Sequence, residues 1–172
     1  MNALGMLHFI AALAALLLGA LVLLTRPKGN RRHRRLGWAY VIAMLTLNVT
    51  ALMIYRLFGG FGPFHVAALI SLATVAMGVP AGIRARKLRH QRNPPARARA
   101  IEYHYYWMTY SYVGLVAAAV AETATRVPVV RAAGGPGATF AIVVVTASVL
   151  VFVGGSHLIR GRAQPLLAPF RK

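Results

Sequence analysis

The chain has 172 residues, 58% hydrophobic and 13% charged, with 20 Lys and Arg against two Glu, no Cys and a formal net charge of +18. A soluble domain is roughly 45–50% apolar and about a quarter charged, so this charge is not spread over a hydrophilic surface. Nucleic-acid binding loses its usual support. The missing cysteines exclude disulfides, thiol catalysis and Cys-held iron–sulfur clusters, and two carboxylates leave little for paired acid–base hydrolysis.

Five apolar runs follow one another at 4–24, 36–58, 63–83, 103–125 and 138–159. At about 1.5 Å per helical residue, each covers a hydrocarbon layer of about 30 Å. No Arg or Lys stands near the centre of any run. The expected fold is therefore an all-α integral membrane protein, a single bundle of five transmembrane helices, since in lipid every backbone group must be satisfied within its own segment.

The first run has its positive charge after it, in Thr25-Arg26-Pro27-Lys28, the reverse of a secretory signal, and reads as a retained helix. Gly59-Gly60-Phe61-Gly62-Pro63 is a tight turn between the second and third runs. Pro80, between Gly78 and Gly82, is expected to kink or fray the end of the third. The fourth run opens with Tyr103-His104-Tyr105-Tyr106-Trp107, then Tyr110 and Tyr112. Such a cluster suits an interfacial aromatic belt better than a cofactor box.

The basic residues orient the bundle. Seventeen of the 20 fall in residues 25–35, residues 84–102 and the C-terminal tail, and only Arg56, Arg126 and Arg131 lie on the other side. By the positive-inside rule the N-terminus is outside and the C-terminus cytoplasmic. Anionic lipid headgroups are the expected partners of the basic loops, and His33 in Arg31-Arg32-His33-Arg34-Arg35 is expected to face them with its neighbours.

Ionisable residues within spans are costly and raise functional hypotheses. An outer layer holds His8, His65 and Glu122, with Arg126 just beyond; an inner layer holds His104, His157 and, in the first basic loop, His33. His104, Ser111 and Glu122 fall on one stripe of the fourth helix, and Asn48 can join from the second. His8, His65 and Glu122 suit a divalent metal such as zinc, copper or iron. The histidines, His104 and His157 included, equally suit haem ligation, and the same residues suit a proton relay or quinone pocket. The plainer readings are an i,i+4 ion pair of Glu122 with Arg126 and imidazoles solvated at helix ends.

Several elements together resemble a known family. His8 opens the first helix, His33-Arg34-Arg35-Leu36-Gly37-Trp38-Ala39-Tyr40 fits an H-R-x-x-G-x-x-Y element, and His65 opens the third. His104-x-x-Trp107-Met108-x-x-Ser111-Tyr112-x-x-Leu115 then runs through Ala117-Ala118-Ala119 to Glu122. The pattern is similar to a family of bacterial membrane proteins known only as a domain of unknown function. The resemblance extends from the first helix to the end of the fourth and implies no activity. The expectation is a multi-pass protein of the bacterial inner membrane with an intramembrane His/Glu site for a metal, haem or proton relay. Alternatives are a non-catalytic scaffold or accessory subunit, or a small-substrate transporter as a homo-oligomer.

Overall fold

The computed structural model describes residues 2–55, 59–91, 93–125, 127 and 138–170. They form five long helices: α1 Ala3–Leu24, α2 Arg31–Leu52, α3 Pro63–Lys87, α4 Pro94–Thr125 and α5 Ala138–Leu167. Short 3-10 turns, Leu88–His90 and Ala168–Phe170, follow α3 and α5.

The starts of the first four helices are written in local chemistry. Asn2, Asn30 and Asn93 accept from the backbone N–H three residues on, at 3.0, 2.7 and 3.2 Å, satisfying donors that a helix N-terminus leaves orphaned. α3 instead has Pro63 at its first position, where no N–H is needed. At the end of α1, the Lys28 ammonium donates to the Val22 and Leu23 carbonyls at 2.9 and 2.7 Å, a cation on the negative pole of the helix. Burial, with Arg26 nearby, draws the pKa of that ammonium below the usual lysine range.

Consecutive helices pack against each other, and α1 also meets α4. The first four therefore close a ring with α2 and α4 on one diagonal, and α5 lies on the outside against α4. Small residues of α1, Ala11, Ala15 and Gly19, turn inward, while Met44, Leu47, Val75 and Leu115 fill the interior. The outward faces are apolar instead of polar: Ile10 and Leu17 on α1, and Leu150 and Val153 on α5, are each more than half exposed. A monomer in water does not present so much contiguous apolar surface.

Among the described residues four helices, α1, α2, α3 and the Ile142–Leu167 part of α5, are long and apolar enough to cross a membrane. α4 falls short in apolarity because the polar aromatics and histidine of its first half dilute it. α2 starts at Arg31, ahead of the second apolar run, and stops at Leu52, before that run ends.

Candidate functional site

The interior contains polar side chains at two levels, separated by an apolar layer. At the level formed by the start of α2, the end of α3 and the start of α4, the His33 and His104 rings meet edge to face. Their centroids are 6.4 Å apart and their planes 79° apart. His104 Nδ1 lies 2.9 Å from the Gly78 carbonyl oxygen. A carbonyl only accepts, so Nδ1 carries the hydrogen and Nε2 keeps its lone pair. The ring rests on Gly82, where an added Cβ would come within 2.6 Å of Nδ1. His33 Nδ1 is buried without a hydrogen-bond partner, and the Val22 carbonyl bonds to the same imidazole.

Two turns further in, the Tyr40 hydroxyl meets Ser111 Oγ at 2.9 Å. Ser111 itself donates to the Met108 carbonyl at 2.9 Å, so Tyr40 is the donor of that pair. Beside them Tyr112 donates to the Leu16 carbonyl at 3.2 Å, its ring lodged in the notch left by Gly19. Two separate hydroxyl contacts thus tie α2 to α4 and α4 to α1.

Beyond an apolar layer containing the fully buried Met44 lies the second level. Asn48 donates to the Met44 carbonyl at 2.8 Å and to Ser71 Oγ at 3.0 Å. The Thr50 hydroxyl donates back to its own helix at Thr46 and Leu47, and its oxygen sits 3.1 Å from His8 Nδ1. His65, only 3% exposed, has Tyr55 and Phe61 against its ring at centroid distances of 4.7 and 5.0 Å. Its Nδ1 accepts from the Gly62 N–H at 3.0 Å. A neutral ring that accepts at Nδ1 carries its hydrogen on Nε2 and has no lone pair left for a metal.

These contacts redistribute the residues singled out by sequence. Among the described residues no three His, Asp or Glu side chains are grouped to hold a metal ion. His8, His65 and Glu122 therefore do not assemble into a metal centre: His8 is engaged with Thr50, His65 with its own helix start, and Glu122 is half-buried on α4. Arg126 lies outside the described residues. His157 is exposed on α5, and the imidazole that His104 meets is that of His33. His33 thus meets α4 within the bundle while Arg31, Arg32 and Arg35 stay exposed. Asn48 and Ser111 are buried as expected, each bonded across to another helix.

A family described as predicted membrane proteins, DUF2306, matches residues 5–159. The chain belongs to this family. No curated protein and no solved structure matches it. As a DUF2306 member it is a membrane protein built as a helical bundle. The matched stretch holds both halves of the cross-bundle contacts. His33 and Tyr40 on α2 are seven residues apart, as are His104 and Ser111 on α4. Both helices start at the same end of the bundle, so one axial offset brings His33 to His104 and Tyr40 to Ser111 (about 10.5 Å further along). That equal spacing is the signal in the sequence that pairs the two elements.

Proposed function

We propose that this is a five-spanning protein of the bacterial inner membrane, N-terminus outside and C-terminus cytoplasmic, which holds a metal ion between His33 and His104 at its cytoplasmic end. The distribution of basic residues supports the orientation. α4 serves as the fifth span because neighbouring helices cover its polar side chains: Ser111 is buried against Tyr40 of α2, Tyr112 is bonded to α1 and Tyr105 to α5. Anionic headgroups neutralise the exposed arginines of the two basic loops.

One observation carries the metal reading. Two imidazoles from diagonally opposed helices meet edge to face, one with Nδ1 fixed on a backbone carbonyl, the other with a buried, unpartnered Nδ1. A ring nitrogen held by a carbonyl is the support that metal-bound histidines ordinarily have. A through-bundle proton relay fits less well, because the layer of Met44, Leu47, Val75 and Leu115 interrupts the hydrogen bonds.

The test is metal analysis and an absorption spectrum of the protein purified in detergent. Bound metal that is lost in His33→Gln or His104→Gln supports the reading. A Soret band would replace the ion with haem. A colourless, metal-free protein that takes up no added ion would leave the scaffold role. The absence of native cysteine makes orientation directly testable: single cysteines at Asn2 and Gln164 should react with an impermeant thiol reagent from opposite sides.

A further inference from the structure

The first half of α4 carries a second feature, on a different face from His104. Glu102, Tyr103, Tyr106, Trp107 and Tyr110 line a groove of about 400 Å³, within the range of small-ligand pockets (about 300–1,000 Å³). At about 100° per residue, the five fall within about 140° of one helix face. Trp107 borders Gly78 of α3 on one side. On the other, Tyr110 stacks on Phe152 of α5 with ring centroids 5.6 Å apart. Among the described residues α3 and α5 do not touch, so the groove between them opens onto the bilayer. We infer that it binds an isoprenoid quinone by its ring, with the tail left in the lipid. This inference is independent of the metal reading of His33 and His104.

Hydrogen bonding selects the class of ligand. Other hydroxyls of this half of α4 are spent on protein carbonyls: Tyr105 donates to Ile159 at 3.0 Å, Ser111 to Met108 at 2.9 Å and Tyr112 to Leu16 at 3.2 Å. The Tyr103, Tyr106 and Tyr110 hydroxyls and the Trp107 indole N–H have no acceptor among the described residues. Glu102, at the mouth, has a partner of its own. The groove therefore offers four donors on an otherwise apolar surface, and at membrane depth an unmade hydrogen bond is costly. That set calls for a lipid-phase molecule rich in acceptors.

The spacing of the donors narrows the choice. They stand in two tiers, Tyr103 with Tyr106 and Trp107 with Tyr110, four residues or about 6 Å apart along the helix. A para-quinone carries two carbonyl oxygens at a comparable separation, on a flat ring that stacks on aromatic side chains. A phospholipid fits less well. Its acceptors lie at the headgroup and ester level, within reach of Tyr103, whereas Tyr110 stands about 10.5 Å deeper among acyl chains that accept nothing. An interfacial aromatic belt would spread around the bundle instead of gathering on one stripe.

The chain holds two tryptophans, Trp38 and Trp107, so Trp38→Phe leaves Trp107 as the sole indole reporter inside the groove. The full chain, in nanodiscs of quinone-free phospholipid, is titrated with decylubiquinone and with a short-tailed menaquinone while tryptophan emission is followed. The expected result is saturable quenching of Trp107 by one or other quinone at one per chain. The Trp107→Phe chain, reporting from Trp38, should show only the unsaturable quenching of quinone dissolved in the bilayer. Tyr106→Phe and Tyr110→Phe keep the rings and remove one donor each, and each should weaken binding about threefold to tenfold. Circular dichroism reports whether they are folded. A variant that fails to fold is replaced by photolabelling of the unaltered chain with an azidoquinone, which should mark residues 102–110. Unsaturable quenching at Trp107 would assign the groove to phospholipid and overturn the inference. Saturable quenching unchanged in both tyrosine variants, or label confined to other residues, would overturn it as well.

Discussion

The Tyr40–Ser111 contact allows a sharp test of the interior, because its two halves are not equivalent. Tyr40 is 2% exposed and Ser111 1%, and the hydroxyl order runs from Tyr40 to Ser111 to the Met108 carbonyl. In Tyr40→Phe, Ser111 keeps its acceptor and no donor is stranded; the loss is one hydrogen bond, about 0.5–1 kcal/mol. In Ser111→Ala, the Tyr40 O–H stays buried with its acceptor gone, at a cost of about 1–2 kcal/mol. In the double variant neither polar group remains, and the cost should fall short of the sum by about 1 kcal/mol. Reversible unfolding in mixed micelles by SDS titration measures all three. Equal losses in the two single variants, or strict additivity in the double, would refute the assigned order of donors.

Glycine supplies the second prediction: Gly19→Val drives a side chain into the Tyr112 ring and against Tyr40 and should destabilise by about 1–3 kcal/mol. Gly37→Ala, with nothing within 4 Å of its added carbon, should be neutral or gain up to about 1 kcal/mol through helix propensity, read in the same titration. His65→Ala removes the acceptor for the Gly62 N–H and should cost about 1 kcal/mol without altering metal content. His8→Ala should also leave metal content unchanged, since His8 is engaged with Thr50; loss of metal in either variant would return the site to the outer end.

The fold was largely legible because lipid imposes simple rules. Run lengths located the helices, and the small residues Ala15 and Gly19, with Ser111 and Leu115, marked inward faces correctly. Which histidines meet was harder, since that depends on helix rotation and axial offset, and both are set by packing of neighbours. His33 is hidden among four arginines, yet successive residues turn by about 100°, so one member of the run can enter the bundle while the others stay at its surface. His65 looked like a ligand in isolation. Three residues earlier stands Gly62, with Pro63 between them, and a side chain that reaches back to that N–H is a local matter of helix initiation.

The apolar layer around Met44 also has an electrical meaning. A membrane potential falls chiefly across the part of a protein with the lowest polarisability. Here that part is the band of Met44, Leu47, Val75 and Leu115, with hydrogen-bonded groups on either side. A charge carried through the whole drop gains about 2.3 kcal/mol per 100 mV. An ion held between His33 and His104, as proposed, would sit to one side of that band, so its occupancy should scarcely respond to the energised state of the cell.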